Sequence, residues 1–180
     1  QCAPPPRRRV AGPRHAAAGD QALVRPLARR VVDGQRQLDT GRTAAPERTF
    51  VLLDGSGQTT ADLRGKVTLV NFWATSCATC VKEMPALIAT HRKYQDKGFD
   101  TLAVAMQYDP PDYVARFAQT RQLPFGVAID NTGAIASSFG SVRMTPTTFL
   151  IDKQGRIVKR ILGEPDFPAL HALIEELLAA

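Results

Sequence analysis

The chain has 180 residues, of which 44% are hydrophobic and 22% charged, and it carries a formal net charge of +6. That supports one well-buried core and excludes a membrane span of about 18–20 apolar residues, since no run approaches that length. Three cysteines are too few for a disulfide-stapled scaffold, and a close pair with one left over points to redox or metal chemistry.

The charge is unevenly placed. Gln1 to Thr49 holds ten arginines, no lysine and four acids, whereas Phe50 to Ala180 balances thirteen basic against thirteen acidic residues. The N-terminal stretch "QCAPPPRRRVAGPRHAAAGD" is rich in Pro, Ala, Gly and Arg and poor in large apolar residues. It cannot bury enough surface to offset the entropy of ordering, so residues 1–45 are expected to be a disordered basic extension. Leu23, Leu27 and Val31 have helical spacing, but Pro26 interrupts them. The chain starts at Gln1 and shows no apolar segment with a cleavage site. The extension is therefore expected to be a linker left after signal removal or a mis-assigned upstream translation. Cys2 invites a lipid-anchor reading, against which Gln1 is not the small residue such processing uses.

Residues 46–180 read as one α/β domain. "FVLLDGSG" predicts a strand running into a turn, and "KVTLVNFW" a central buried strand. Met84, Leu87, Ile88, His91 and Tyr94 recur at helical spacing, and Gly98 ends that helix. "FDTLAVAM" predicts a second buried strand. Asp112 is the candidate start of the next helix, with Tyr113 and Phe117 facing inward. "LPFGVAID" is a further short strand, and "NTGAIASSFG" a short helix ended by Gly140. "TPTTFLIDKQGRIVKRILG" reads as a hairpin turning at "DKQGR". "DFPALHALIEELLAA" is a terminal helix with Asp166 near its cap and Pro168 in its first turn. Alternating elements of this kind give a mixed sheet covered by helices on both faces.

Cys77 and Cys80, in "NFWATSCATCVKEMP", fall just after the central strand and at the start of a helix. There, unpartnered amides and the aligned peptide dipoles favour a thiolate, the attacking species. Cys77 is then the exposed nucleophile, and Cys80, one turn further in, resolves the mixed disulfide. A metal site needs two more soft ligands. Cys2 is remote, His15 lies in the extension, His91 sits on an apolar stripe and His171 lies among polar-face positions of the last helix. Glu83, three residues after Cys80 on the same helix face, is either a proton acceptor for the second thiol or an ordinary acid of an early helical turn.

Across "VNFWATSCATC" and "TPTTFLIDKQGRI" the body resembles the TlpA/ResA-like thioredoxin-fold thiol-disulfide oxidoreductases, over about Pro46 to Ala180. The resemblance implies a thioredoxin-like three-layer fold with a mixed central sheet, an N-terminal β-hairpin and a central helix–strand insertion near Pro111–Ile129. It implies that Cys77 is the nucleophile, Cys80 the resolving cysteine, Glu83 an active-site acid and Pro146 a cis-proline facing the cysteines. Thr145 and Pro146, with Trp73 and Ser76, are expected to form the substrate-binding face, Thr145 offering backbone hydrogen bonds to an extended segment. Ser76 stands where many relatives carry Trp, Ala78 and Thr79 separate the cysteines, and Asn71 replaces the buried Asp of cytosolic thioredoxins. The resemblance further implies exported protein substrates such as apocytochrome c, a membrane-embedded electron donor and no bound cofactor or metal.

A monomer in the periplasm or another extracytoplasmic compartment is expected, with the cytoplasm as the alternative. Three rival readings of the sequence have less to support them. A peroxiredoxin-type peroxidase needs a Pro-x-x-x-Thr-x-x-Cys loop, but residue 70 is Val and residue 74 is Ala. A copper metallochaperone would hold its ion on the cysteine pair. A nucleic-acid binder would work through the basic extension, and the neutral body argues against it.

Overall fold

A computed structural model describes residues 42–180. Its centre is β4 (Val67–Trp73), seven residues buried along their whole length, as its β-branched and aromatic composition dictates. β5 (Phe99–Ala105) lies parallel to β4 on one side, and β7 (Thr147–Ile151) antiparallel on the other. β6 (Gly126–Ile129) extends the sheet beyond β5, and β8 (Arg156–Leu162) beyond β7. β1 (Thr43–Ala44) pairs with β8, giving the order β1-β8-β7-β4-β5-β6.

The sheet's two faces carry separate cores, because successive side chains of a strand point to opposite sides. Val67, Leu69 and Trp73 pack with Met84, Leu87 and Tyr94 of α1 (Ala78–Tyr94) and with Leu170, Ile174 and Leu177 of α4 (Phe167–Ala179). Val114 of α2 (Pro111–Thr120) joins the same cluster. On the opposite face Val70 and Phe72 meet Phe50, Phe139 and Phe149, whose rings pack tilted or edge to face at 5.1–6.5 Å. That side is covered by α3 (Ala134–Ser138) and by the hairpin of β2 (Thr49–Val51) and β3 (Gly57–Thr59). The hairpin also touches the sheet edge, where Leu53 N–H donates to the Val127 carbonyl over 3.0 Å. Three layers result, as expected, with α2 and β6 forming the inserted helix–strand unit.

Several boundaries differ from expectation. Sheet structure starts before Pro46: β1 takes Thr43 and Ala44, and Ala45 is buried in the second core with its amide bonded to the Gly155 carbonyl. Backbone pairing with an edge strand recruits these residues, a contact that carries no hydrophobic pattern. The remainder of the expected extension, residues 1–41, lies outside the described residues. α2 begins at Pro111 after Pro110, one residue ahead of the Asp112 start, because a proline at the first helical position gives up no hydrogen bond. Asp166 caps α4 as predicted, its carboxylate accepting from Ala169 N–H at 3.2 Å. The β7–β8 turn follows "DKQGR", with Gly155 at φ 77° and Asp152 accepting from the amides of Gln154 and Arg156.

Candidate active site

The chain leaves β4 at Trp73 and enters α1 at Ala78, so the connecting residues sit above the C-terminal ends of the parallel strands. Cys77 is the N-cap of α1, and its sulfur accepts from the Cys80 amide at 3.2 Å. Cys77 and Cys80 are joined as a disulfide, their Cα atoms 5.2 Å apart. The two sulfurs are unequal. Cys77 is half-buried, whereas Cys80 is fully buried in the core beneath α1. A protein partner can therefore reach only the first.

Glu83 lies on the turn of α1 that follows Cys80 and is buried. Its Oε1 accepts from Nδ2 of Asn71 at 3.1 Å, and the same Nδ2 donates to Thr148 Oγ1 at 3.0 Å. Burial pushes the Glu83 carboxyl from its ordinary 4.5 up to about 8, against the Asn71 hydrogen bond that favours ionisation and with the charge of Glu164 adding to the rise. A carboxyl titrating there holds its proton at neutral pH yet can release it within the working range, as a general acid or base must. Among the described residues its Oε2 has no partner.

The Thr145–Pro146 peptide bond is cis, as the resemblance implied. Thr147 pairs with Phe72 across the β4–β7 ladder, which brings Pro146 level with Trp73, at the same end of the sheet as the cysteines. The Pro146 carbonyl accepts from Gly163 N–H at 2.9 Å, tying this loop to the end of β8. Within the described residues no backbone–backbone hydrogen bond engages Thr145. Ser76 is exposed and Met144, beside Thr145, is 67% exposed. Trp73 differs from expectation. It is fully buried, its ring 5.0 Å from that of Phe117, so it supports the site from below and cannot line a substrate face. The parity of β4 turns it inward, where its size fills the layer next to Asn71.

Two partners escaped the sequence reading. Thr148 meets Asn71 only through the β4–β7 register, which no local pattern reveals. Asp109, in the loop after β5, is buried and accepts from both the amide and the hydroxyl of Thr75, at 2.7 and 2.6 Å. The one available signal was an acidic residue at the C-terminal end of a parallel strand, where sites of open α/β sheets gather. Among the described residues no cluster of three His, Cys, Asp or Glu side chains is placed to hold a metal ion, and no helix is long and apolar enough to cross a membrane.

The Redoxin family model matches residues 40–174, three-quarters of the chain. The chain belongs to the Redoxin family. It is similar to the thiol-disulfide oxidoreductase ResA of Bacillus thuringiensis subsp. konkukian, 33% identical over 144 residues that cover 79% of this chain and 81% of the relative. ResA of Bacillus anthracis is 37% identical over 134 residues, covering 74% and 76%. A crystal structure of a thiol:disulfide interchange protein from Chlorobium tepidum superimposes with a TM-score of 0.69 at 26% identity, covering 78% of this chain and 99% of its own. With a bonded CxxC pair at the start of a helix on a thioredoxin-like fold, this family member is a thiol-disulfide oxidoreductase, and its substrates are protein disulfides or thiols.

Proposed function

We propose that the protein reduces disulfides of extracytoplasmic proteins, apocytochrome c being one candidate, and is re-reduced by a membrane-embedded donor. The observation that carries this reading is the inequality of the two sulfurs: one reachable at the helix cap, the other buried one turn from a titratable carboxyl. Cys77 is the nucleophile. Its thiolate attacks one sulfur of a substrate disulfide, the other sulfur leaves as a thiolate, and a Cys77–substrate disulfide forms. Cys80 then loses its proton to ionised Glu83 and attacks the Cys77 sulfur, which releases the substrate as a dithiol and leaves the Cys77–Cys80 disulfide. Two electrons pass to the substrate. The donor returns two electrons and Glu83 returns the proton to the Cys80 sulfur.

Thr145 and Pro146 border the face on which an extended substrate segment lies, with backbone bonding at Thr145 in strand-addition fashion and Ser76 beside the nucleophile. The exposed Met144 side chain extends that face with adaptable apolar surface. The domain acts as a monomer without cofactor or nucleic acid. Periplasmic or otherwise extracytoplasmic placement suits an enzyme whose substrates carry disulfides.

The test is mechanism-based trapping. Cys77→Ser is expected to abolish reduction of insulin disulfides, and Cys80→Ser to accumulate a mixed disulfide through Cys77, recovered under non-reducing conditions and released by dithiothreitol. Full turnover by Cys80→Ser refutes the two-step scheme. Capture of only cytosolic proteins by the trap in whole cells refutes the compartment.

A further inference from the structure

We propose that Asp109 is a positioning residue for the exchange reaction, holding the turn that aims Cys77 at the start of α1. The inference rests on the reading of Cys77 as nucleophile. Ala74 to Ser76 lie between β4 and α1 and belong to neither, so their conformation depends on bonds from outside the two elements.

Those bonds come from the loop after β5. Met106 N–H donates to the Trp73 carbonyl at 3.0 Å, and Asp109 N–H to the Met106 carbonyl at 3.0 Å, which folds the loop back over the end of β4. The Asp109 carboxylate then takes Thr75 with one oxygen on each donor, Oδ2 on the amide and Oδ1 on the hydroxyl. The carboxylate is buried, and bonds to an ionised acceptor at such lengths are among the stronger ones a turn can make. From Thr75 the chain needs only one further turn, closed by Cys77 N–H to the Ala74 carbonyl at 3.1 Å, before the sulfur meets the Cys80 amide at 3.2 Å. The sulfur's place at the helix cap is thus set from two sides: by α1 itself and by Asp109 acting through Thr75.

The consequence has a sign that separates position from charge. Removing a nearby negative charge by itself favours a thiolate and lowers a thiol's pKa. Loosening the turn carries the sulfur away from the amides that favour its anionic form, and raises it. Asp109→Ala does both, and if positioning dominates the thiol pKa rises.

The experiment uses the full chain with Cys80→Ser as parent, so that alkylation of Cys77 by iodoacetamide is followed peptide by peptide across pH, and the wild-type dithiol for insulin reduction. Asp109→Ala is expected to raise the apparent pKa of Cys77 by about one unit. It is expected to slow insulin reduction about ten-fold, mainly in kcat. Thr75→Val, which removes the hydroxyl and keeps the amide, gives a smaller change of the same sign, and Thr75→Ser restores wild-type behaviour. The double variant Asp109→Ala/Thr75→Val shows no added loss, as expected for two ends of one clasp. An alkylation profile for Asp109→Ala that superimposes on its parent, or moves to lower pH, overturns the proposal even if the urea midpoint falls. If Asp109→Ala does not fold, Thr75→Val against Thr75→Ser decides by the same criterion. Reactive Cys77 with an unaffected Asp109 variant leaves the exchange mechanism standing, whereas activity surviving Cys77→Ser removes that mechanism itself.

Discussion

Glu83→Gln separates the carboxyl's proton from its shape. Glutamine keeps the oxygen that accepts from Asn71 and fits the same space, but it cannot ionise. In the unfolded chain Glu83 loses its proton near its ordinary 4.5, whereas in the folded protein it keeps it to about 8. Between those values the folded state binds the extra proton, so wild-type stability falls as pH rises through this window and levels off above it. Each unit is worth 1.36 kcal/mol, which gives about 3 kcal/mol by neutral pH and a ceiling of about 5 kcal/mol.

The glutamine variant carries none of this penalty. Urea unfolding of the oxidised proteins reads it directly. The two midpoints are expected to be close near pH 4 and to separate in favour of Glu83→Gln until about pH 8, with an unchanged slope. A difference that stays constant with pH, or that favours the wild type as pH rises, refutes the buried-acid argument. Activity should move the opposite way. With a pKa of about 8, roughly a tenth of Glu83 is ionised at pH 7, so resolution of the Cys77–substrate disulfide by Cys80 accelerates about ten-fold towards alkaline pH. In Glu83→Gln resolution is slower by about 100-fold and that rise is lost.

Asn71→Leu removes the donor shared by Glu83 and Thr148, leaving buried acceptors unpaired at a cost of about 1–3 kcal/mol. The hydrogen bond that favours Glu83 ionisation goes with it, so the pH at which resolution becomes fast should move upward; stopped-flow resolution rates check the shift. Trp73→Ala empties a fully buried site packed on Phe117 and is expected to cost about 3–5 kcal/mol, read from urea midpoints.

The frame of the molecule was legible because it is written in local patterns. The uniformly apolar run of β4, the spacing of Met84, Leu87 and Tyr94, and the Asp166–Pro168 start of α4 each specify an element from within a short window. The cysteine pair was legible for the same reason, since both its spacing and its place after a strand are local. What stayed hidden depends on register. Asn71 meets Thr148 across 77 residues, and Thr75 meets Asp109 across 34. His171 looked like a polar-face residue, yet its Nε2 lies 2.8 Å from Thr90 Oγ1 and its ring packs edge-on to Tyr94, because α4 lies against α1. Trp73 is expected on the substrate-binding face, while strand parity sends it inward.

That parity joins the two halves of the site into one device. Asn71 and Trp73 are two apart on β4 and so project from the same face, towards α1. Asn71 supplies Glu83 with a neutral donor, and Trp73 occupies the adjoining volume with an apolar ring. An aspartate at position 71 would put two carboxyls in one buried space, where like charges drive one of them to still higher pKa. The combination found here leaves Glu83 beside a neutral donor, its pKa raised by exclusion of water and moderated by one amide. It is placed on the helix whose cap presents Cys77 to a partner. Exposure serves the attack, burial serves the resolution, and one turn of α1 is the distance over which the environment changes.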